Sequence, residues 1–580
     1  MGTFVADFET TTNKEDCRVW AYAICEVGNT DNTIVGTTLE DFMKWCESEE
    51  ENHTVFFHNL KFDCQFIIYY LLKNGYTHVI DGKDKKTHTF TTLISDKGLY
   101  YSVEVFFKIK GKRVNKVTFQ DSLKLIPLSV DQIAKSFHLP ISKLEIDYAR
   151  HNNLPKGSSL TKEEEDYIIN DVKIVAYAVN YFHEQGLNKM TIGSCALAEY
   201  KNILSKRLFN RYFPPPKYHK DVRQSYRGGF TYLNPKFKGK TIGNGIVLDV
   251  NSLYPWAMYD SYLPFGTPIY FEGEYVKDDI YPLYTQMLRC QFELKEGKIP
   301  TIQIKYGGMF RANEYLESSN DEIVTLCLNS VDLELFLEQY DVYNLEYLSG
   351  WKFKSTKGLF NEYIDKWSNN KIQAKKDGNH GLYLISKLFL NSLYGKFGTD
   401  TRVRSKVPYL GEDDRVHYYD YDEEDKDGVY IAMASFITSY ARRKTITAAQ
   451  TIMDNYNSGK SKIQFVYADT DSLHCVSPDF SLPEGLEINP TKLGAWDYES
   501  KFNKARFLRQ KCYIENSTDD VENPNPEYRL KITVSGMPKG CYQYVNFNNF
   551  KLGKRYQGKK SPKIVKGGVV LEDIDFTLKE

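Results

Sequence analysis

The stretch Tyr467-Ala468-Asp469-Thr470-Asp471-Ser472 limits what this chain can fold into more than any other. It reads as a strand from Ile463 to Tyr467, a tight acidic tip, and a second strand from Ser472 to Val476. Two carboxylates two residues apart point the same way along an extended chain. Such a pair repels itself unless a cation sits between or beside it. Lys511 and Lys387 lie far off in sequence, so a divalent metal is the economical counter-charge. Hard oxygen donors select magnesium or manganese over softer metals. A solvated hairpin turn is the competing reading, because Asp-Thr-Asp is common turn chemistry; taken alone, it is the better one. The order of the other motifs reverses that preference.

With 580 residues, more than one core is expected, and the length suggests roughly four domains or subdomains. A net charge of −1 confines any nucleic-acid surface to a local patch. The 44 tyrosines and 34 phenylalanines supply flat stacking faces, which suit bases and sugars as well as an ordinary core. Ten scattered cysteines without a Cys-x-x-Cys pair argue against zinc and iron–sulfur sites and for a reducing compartment. The N-terminus runs straight into a strand without a signal-peptide pattern, and Ala6 breaks the myristoylation motif. The longest apolar run, Phe66 to Leu72, is too short to span a bilayer. The expectation is a soluble intracellular protein.

The first segment carries four acids with telling spacing. A strand from Thr3 to Thr11 places Asp7 and Glu9 on one face. Asp63 precedes an apolar helix running to about Leu72. Thr161 and Glu164 form a capping box that opens another helix, on which Tyr167 and Asp171 share a face. Asp7, Glu9, Asp63 and Asp171 are therefore expected to form a four-carboxylate cage beside a tyrosine. Two magnesium ions there would activate a water and stabilise the leaving oxygen of a phosphodiester. Any one of these acids alone is more simply a surface charge or a cap. Together they resemble the tyrosine subclass of the DEDD-type proofreading 3′–5′ exonucleases. The resemblance covers roughly the first 190 residues, the size of one domain. It implies that Thr10, Asn59, Phe62, Ser122, Leu123 and Tyr148 hold the frayed strand, and that Lys143 is a catalytic lysine.

From Lys201 to Arg227 there are eight basic residues and one acidic one, stiffened by Pro214-Pro215-Pro216. This reads as a connector. Tyr226-Arg227-Gly228-Gly229 closes it; the glycines allow close backbone approach, while Tyr and Arg can stack or grip phosphate. It resembles the Tyr-x-Gly-Gly element that binds template between exonuclease and polymerase sites.

Ile246-Val247-Leu248-Asp249 is an apolar strand ending in a carboxylate, and it begins the Asp-x-x-Ser-Leu-Tyr-Pro signature of family B DNA polymerases. Residues 261–357 carry no catalytic pattern; Ile299 to Ile304 reads as a strand and Asp332 to Tyr340 as a helix. Phe360 to Lys376 and Leu382 to Phe397 read as two helices around a turn at Asp377–Gly381. On the second, Lys387, Asn391 and Tyr394 share one face, a coherent nucleotide-binding surface. Lys-x-x-x-Asn-Ser-Leu-Tyr-Gly resembles the family B fingers motif, and Lys375 matches a second triphosphate ligand. Residues 399–430 read as a hairpin with an acidic stretch from Asp420 to Asp427. Thr438 and Arg442 match a Thr-x-x-x-Arg motif that contacts primer-template, and Lys511 and Tyr513 match the Lys-x-Tyr motif at the primer end. Lys551 to Gly568 holds seven basic residues and no acidic one, followed by an expected hairpin from Gly567 to Leu578.

The whole sequence resembles the protein-primed bacteriophage replicative DNA polymerases of family B. The resemblance implies a multidomain α/β and α+β chain: a ribonuclease H-like exonuclease domain over 1–190, then a right hand. Palm would occupy 191–260 and 431–533, fingers 358–398 and thumb 534–580, with insertions at 261–357 and 399–430. It implies metal ligands Asp249, Val250 and Asp471 with Asp469 in support, and nucleotide contacts from Tyr254, Lys375, Lys387, Asn391 and Tyr394. The implied cofactor is Mg2+, replaceable by Mn2+, two ions per active site. Implied partners are DNA template and primer, deoxynucleoside triphosphates, a terminal protein primer, and viral single- and double-stranded DNA-binding proteins. The expectation is a monomer, off the membrane, in the cytoplasm of an infected bacterial host. A DNA-primed polymerase of a linear plasmid or virus is the alternative, opposed only by the insertions; a non-catalytic scaffold is opposed by the intact carboxylates.

Overall fold

The computed structural model describes residues 2–48, 52–80, 84–110, 113–214, 219–306, 309–310, 314–400, 402–425, 429–519 and 530–579. The proline run at 214–216 and the end of the acidic stretch at 420–427 lie largely outside the described residues.

The N-terminal sheet is built around the strand Gly2–Thr10. It pairs antiparallel with Val19–Glu26 and parallel with His53–Phe57, which in turn lies parallel to Arg113–Asp121. Strand alternation sets the layers. Val5 packs with Ala21 and Ala23 against the helix Lys162–Glu184, while Ala6 and Phe8 pack against the helices Leu39–Ser48 and Leu60–Lys73. Helices thus cover both faces of a mixed sheet, the α/β layering expected of this segment. The capping box is present as expected: Glu164 N donates to Thr161 Oγ1 at 3.3 Å, and Thr161 N donates to the Glu164 carboxylate at 2.9 Å.

A second sheet runs in the order Leu530–Val534, Cys512–Ser517, Trp496–Arg509, Gly245–Val250, Ser472–Val476, Gln464–Asp469, Thr231–Leu233. Its long strand Trp496–Arg509 is bent. Its first half pairs with Gly245–Val250, and beyond Phe502 it pairs with Cys512–Ser517. The 27-residue helix Ile431–Asn457 joins the regions. Ile431 to Ile437 pack with the helices Asn361–Lys376 and His380–Phe397, and Ala441 to Ile452 pack beneath Ile246, Leu248 and Leu473.

Between these parts lies a four-stranded sheet of Leu263–Glu272, Tyr340–Thr356, Leu283–Leu294 and Val324–Asn329, covered by the helix Ser330–Gln339. The strand expected over Ile299–Ile304 does not form; only Ile302 makes an isolated bridge, to Leu316. Side chains take the donors that a ladder would need. Ile299 N donates to Gln450 Oε1 at 3.1 Å and Thr301 N to the Tyr340 hydroxyl at 2.8 Å, while Pro300 has no donor.

The helices Asn361–Lys376 and His380–Phe397 are joined through Gly378 at φ 68°. The hairpin of Arg402–Leu410 and Val416–Asp425 follows. A C-terminal hairpin, Arg555–Val565 with Gly568–Thr577, absorbs the basic tail as its first arm, so the hairpin begins earlier than expected. Both hairpins lean on the N-terminal domain. Asp414 pairs with Lys73 at 2.6 Å and Lys566 at 3.0 Å, and Val565, Val569 and Val570 complete the core around Phe66.

Gly350 sits opposite Gln286 in the four-stranded sheet, where a Cβ would lie 2.0 Å from the Thr285 carbonyl oxygen and 2.4 Å from the Phe271 ring. Backbone cannot yield as a side-chain tip can. Gly350→Ala should therefore destabilise this sheet by about 1–3 kcal/mol. The check is limited proteolysis between residues 261 and 357, where faster cleavage than in the parent is expected.

Candidate active sites

Asp249 ends the central strand Gly245–Val250, in register with Ser472 on one side and Asp497 on the other. The two strands of the acidic hairpin are Gln464–Asp469 and Ser472–Val476, so Asp469 closes a strand and Asp471 lies in the turn. Thr470 takes φ 63°, and the tip is tied on every side. Thr470 N donates to Phe230 O at 2.7 Å, Asp471 N to Asp469 O at 2.8 Å, and Val250 N to Asp471 O at 2.8 Å. Gly229 packs against the tip so closely that a Cβ would sit 2.6 Å from Thr470 Cγ2. A cleft of about 530 Å³ results, lined by Asp249, Asp469, Asp471, His474, Glu499, Lys511, Tyr513 and Lys531.

Lys511, distant in sequence, is at the tip after all. Its Nζ lies 2.6 Å from Asp469 Oδ1, and its backbone N donates to the Tyr467 hydroxyl, which donates to Asp469 Oδ2 at 3.2 Å. Asp469 is thus compensated by the chain itself. Asp249 and Asp471 are not. Burial and then the Asp471 charge push the Asp249 carboxyl up to about 7, and burial also raises Asp471.

Lys387 and Asn391 are exposed on His380–Phe397 and Lys375 on Asn361–Lys376; among the described residues neither lysine has a carboxylate partner. Tyr394, on the same face, stacks on Tyr254 with centroids 4.0 Å apart and an interplanar angle of 20°. Two residues expected to touch different parts of a nucleotide therefore support each other. Burial raises the Tyr254 phenol, keeping its hydroxyl neutral.

The residues expected to touch primer-template directly need correction. Thr438 and Arg442 are buried, because the helix that carries them is packed nearly all round. Thr438 Oγ1 donates to Ala434 O, one turn back. The Arg442 guanidinium pairs with Asp332 and donates to Arg227 O at 2.8 Å and Gly228 O at 2.7 Å. Arg227 is buried too and donates to Cys327 O at 3.2 Å. These groups hold the glycine segment from behind. Tyr513 is buried among Tyr467, Phe507 and His474, whereas half of the Lys511 side chain is accessible.

In the N-terminal domain, strand alternation turns Asp7 and Glu9 toward the face that carries Tyr167 and Asp171. Burial and then the charge of Asp171 lift Asp7 to about 7. Burial and then Asp7 raise both Glu9 and Asp63. Lys143 lies 2.6 Å from Asp171 Oδ2, yet Asp171 Oδ1 is buried without a hydrogen-bond partner. The hydroxyls of Tyr148 and Tyr167 are 2.7 Å apart, and Tyr148 is largely exposed. Thr10 and Phe62 are half-buried beside the acids and Asn59 is exposed at φ 80°. Ser122 departs from expectation: it is buried, with its hydroxyl donating to Phe57 O at 3.1 Å and paired with the His58 ring at 2.9 Å. Its hydroxyl is engaged within the loop under Leu123.

Among the described residues, no three His, Cys, Asp or Glu side chains converge into a ready-made metal cage. The donor chemistry nonetheless fits hard cations at both sites. Carboxylates are buried against one another without enough positive charge, and one buried oxygen is orphaned. Magnesium keeps several waters and takes one or two protein carboxylates together with substrate phosphate, so a loose set suits it better than a closed cage.

Sequence reasoning passed over two acids. Asp121 ends a strand, as Asp249 does, and accepts from Asn59 N and Leu123 N, both at 3.0 Å. Glu499 alternates with Asp497 along Trp496–Arg509 and lines the cleft. An acid at a strand end and an i, i+2 acid pair were the signals that had flagged Asp249 and Asp469.

The family described as DNA polymerase type B, organellar and viral, matches residues 45–156 and 150–482. The DNA polymerase of Bacillus phage M2 is 45% identical over 592 residues, covering 99% of each chain. That of Streptococcus phage Cp-1 is 33% identical and covers 100% of this chain and 98% of its own. Among solved structures, phi29 DNA polymerase complexed with primer-template DNA and incoming nucleotide substrates superposes with a TM-score of 0.91 at 43% identity, covering 100% of both chains.

An acid whose folded-state pKa is raised favours the folded chain while protonated, so ionising it removes stability between its unfolded and folded values. For Asp7 and Asp249 that window runs from about 4 to about 7. Metal-free protein should lose thermal midpoint over this range as pH rises, and magnesium should restore it at about pH 8. Asp249→Asn and Asp7→Asn should each flatten the pH dependence and shrink the magnesium rescue. Scanning fluorimetry across pH checks this; identical profiles for parent and variants would refute it.

Proposed function

Because the chain belongs to the organellar and viral type B DNA polymerases, and is a DNA-directed DNA polymerase, we propose that it replicates a linear viral genome in the cytoplasm of an infected bacterial host. It would initiate on a hydroxyl of a terminal protein, displace the strand ahead of it, and proofread with a 3′–5′ exonuclease. One observation carries the reading: Asp249, Asp471 and the Asp469–Lys511 pair line a single open cleft. The domain borders expected from the sequence are retained as part of this proposal.

Asp249, Asp471 and the Val250 carbonyl would hold divalent ions in the cleft, as Asp7, Glu9, Asp63 and Asp171 would in the N-terminal site. Two bound magnesium ions per site, or manganese, would supply charge neutralisation at phosphate oxygens and an acidified nucleophile. Lys375 and Lys387 would neutralise the triphosphate while Asn391 and Tyr394 line its approach. Lys511, held by Asp469, reaches the primer end from the opposite side. The primer hydroxyl attacks the α-phosphorus and pyrophosphate leaves; at initiation the terminal protein's hydroxyl takes the primer's place. In the N-terminal site, Tyr167 stays a neutral donor, since burial and then Glu9 raise its phenol, and it would orient a water. Lys143 would position the scissile phosphate, and Thr10, Asn59, Phe62, Leu123 and Tyr148 would line the strand's path.

The two sites should fail separately. Incubation with terminal protein and labelled nucleotide, without a nucleic-acid primer, should label the protein with the parent enzyme and with the Asp7→Ala/Glu9→Ala variant. Asp471→Ala should give no adduct yet still digest single-stranded DNA. Loss of both activities in a folded Asp471→Ala protein would sink the two-site assignment.

Tyr254 should exclude ribonucleotides. Its ring is clamped by Tyr394, and the helix start behind it is fixed by Ser252 at φ 56° and by Pro255. A fixed ring under the sugar leaves no volume for a 2′-hydroxyl. Tyr254→Val should raise ribonucleotide relative to deoxynucleotide insertion efficiency by about tenfold or more, and Tyr254→Phe should preserve the parent ratio. Single-insertion kinetics decide the matter; equal discrimination by Val and Tyr would move the gate elsewhere.

A further inference from the structure

Beneath the acidic cleft lies a buried ionisable pair that the reaction does not use. His474 Nδ1 and Glu515 Oε1 are 2.6 Å apart, and both side chains are almost wholly enclosed, at 1% and 2% exposure. The pair joins strands that are not neighbours. His474 is on Ser472–Val476 and Glu515 on Cys512–Ser517, with Gly245–Val250 and Trp496–Arg509 between them in the sheet order. Flat strands about 4.8 Å apart would hold such residues well out of reach. They meet where register shifts at Phe502/Lys504 and Phe507/Arg509 interrupt the ladder; such irregularities bend and twist a strand, which brings Cys512–Ser517 over toward Ser472–Val476.

The folded-back part carries Lys511. Apart from this pair, the fold-over is filled by rings: Tyr467, Phe507 and Tyr513 surround His474 at centroid distances of 5.4, 5.5 and 5.0 Å. Ring packing is tolerant of small slides and rotations, whereas a charge-assisted hydrogen bond is directional. A buried pair of ionisable side chains is also a poor source of stability, since apolar residues of similar volume commonly serve as well or better. Its physical value here is geometric. Tyr467, opposite His474 in the strand register, accepts from Lys511 N and donates to Asp469, so the tilt of the fold-over sets where Lys511 stands above the acids.

We infer that His474 and Glu515 are positioning residues, a cross-brace that fixes the Lys511 turn over the catalytic tip and so holds the end of the primer strand. This rests on the reading of the cleft as the polymerase site. Glu515→Ala should raise the KM for primer-template about tenfold while kcat at saturating DNA stays within about twofold. Glu515→Gln keeps an acceptor for the imidazole and should recover most of the loss. His474→Phe/Glu515→Leu removes both ionisable groups at similar volume; it should fold with an unchanged or higher thermal midpoint and still show the raised primer KM. Digestion of single-stranded DNA at the N-terminal site should match the parent in all three.

Steady-state extension and digestion assays, with thermal midpoints, separate the outcomes. A parent-like primer KM in Glu515→Ala or in the double variant overturns the brace. So does a Glu515→Gln variant no better than Ala, or a loss shared equally by extension and digestion. If the parent protein itself fails to extend a primer, the polymerase reading of the cleft falls first and the brace with it.

Discussion

The structure is organised around carboxylates that are buried together with too few cations to neutralise them. At the cleft the acids come from strands and the turn between two of them, and in the N-terminal domain from a strand and two helices; all of these elements fold for their own reasons, through apolar packing. The protein then prevents the acids from drifting apart. At the cleft the tip is pinned: Thr470 N donates to Phe230 O, Val250 N to Asp471 O and the Thr445 hydroxyl to Thr470 O, and a glycine without a Cβ lies against it. At the N-terminal site the acids belong to a sheet and helices with apolar cores on both faces. Relaxation is blocked, and the unsatisfied charge becomes an affinity for hard cations.

The same economy shapes the interior behind the glycine segment. Arg442 is always charged and deeply buried, a costly arrangement unless fully paired. It is paired: Asp332 takes two of its donors, the Arg227 and Gly228 carbonyls take two more, and Ser439 Oγ takes the last. Asn329, Ser435 and Ser439 extend this network from the inserted sheet into the long helix. The four-stranded sheet is therefore joined to the region of the cleft by a connected set of directional contacts as well as by apolar surface.

Local signals were the legible ones. The i, i+4, i+7 face of Lys387, Asn391 and Tyr394, the capping box at Thr161 and the strand that aligns Asp7 with Glu9 each depend on neighbours a few residues away. What was not legible depended on long-range closure. Lys511 stands 42 residues from Asp469 and meets it only because a strand bends. Thr438, Arg442 and Ser122 match motifs that suggest contact with DNA, yet no local pattern says that their surroundings close over them. Ile299–Ile304 has strand-like composition, but its donors are claimed by Gln450 and Tyr340 from distant elements.

The C-terminal hairpin carries a consequence for how the chain comes into being. Val565, Val569 and Val570 sit in the core of the N-terminal domain, Gly568 lies flat against Phe66, and Cys17 donates to Val569 O. A ribosome delivers that domain well before those valines. Until they emerge, the domain's apolar floor around Phe66 lacks its cover, and the first domain is finished only when the region that carries the acidic cleft has also been made. The two parts are thus joined in time as well as in space: a chain cut before Val565 leaves the first domain with an open core.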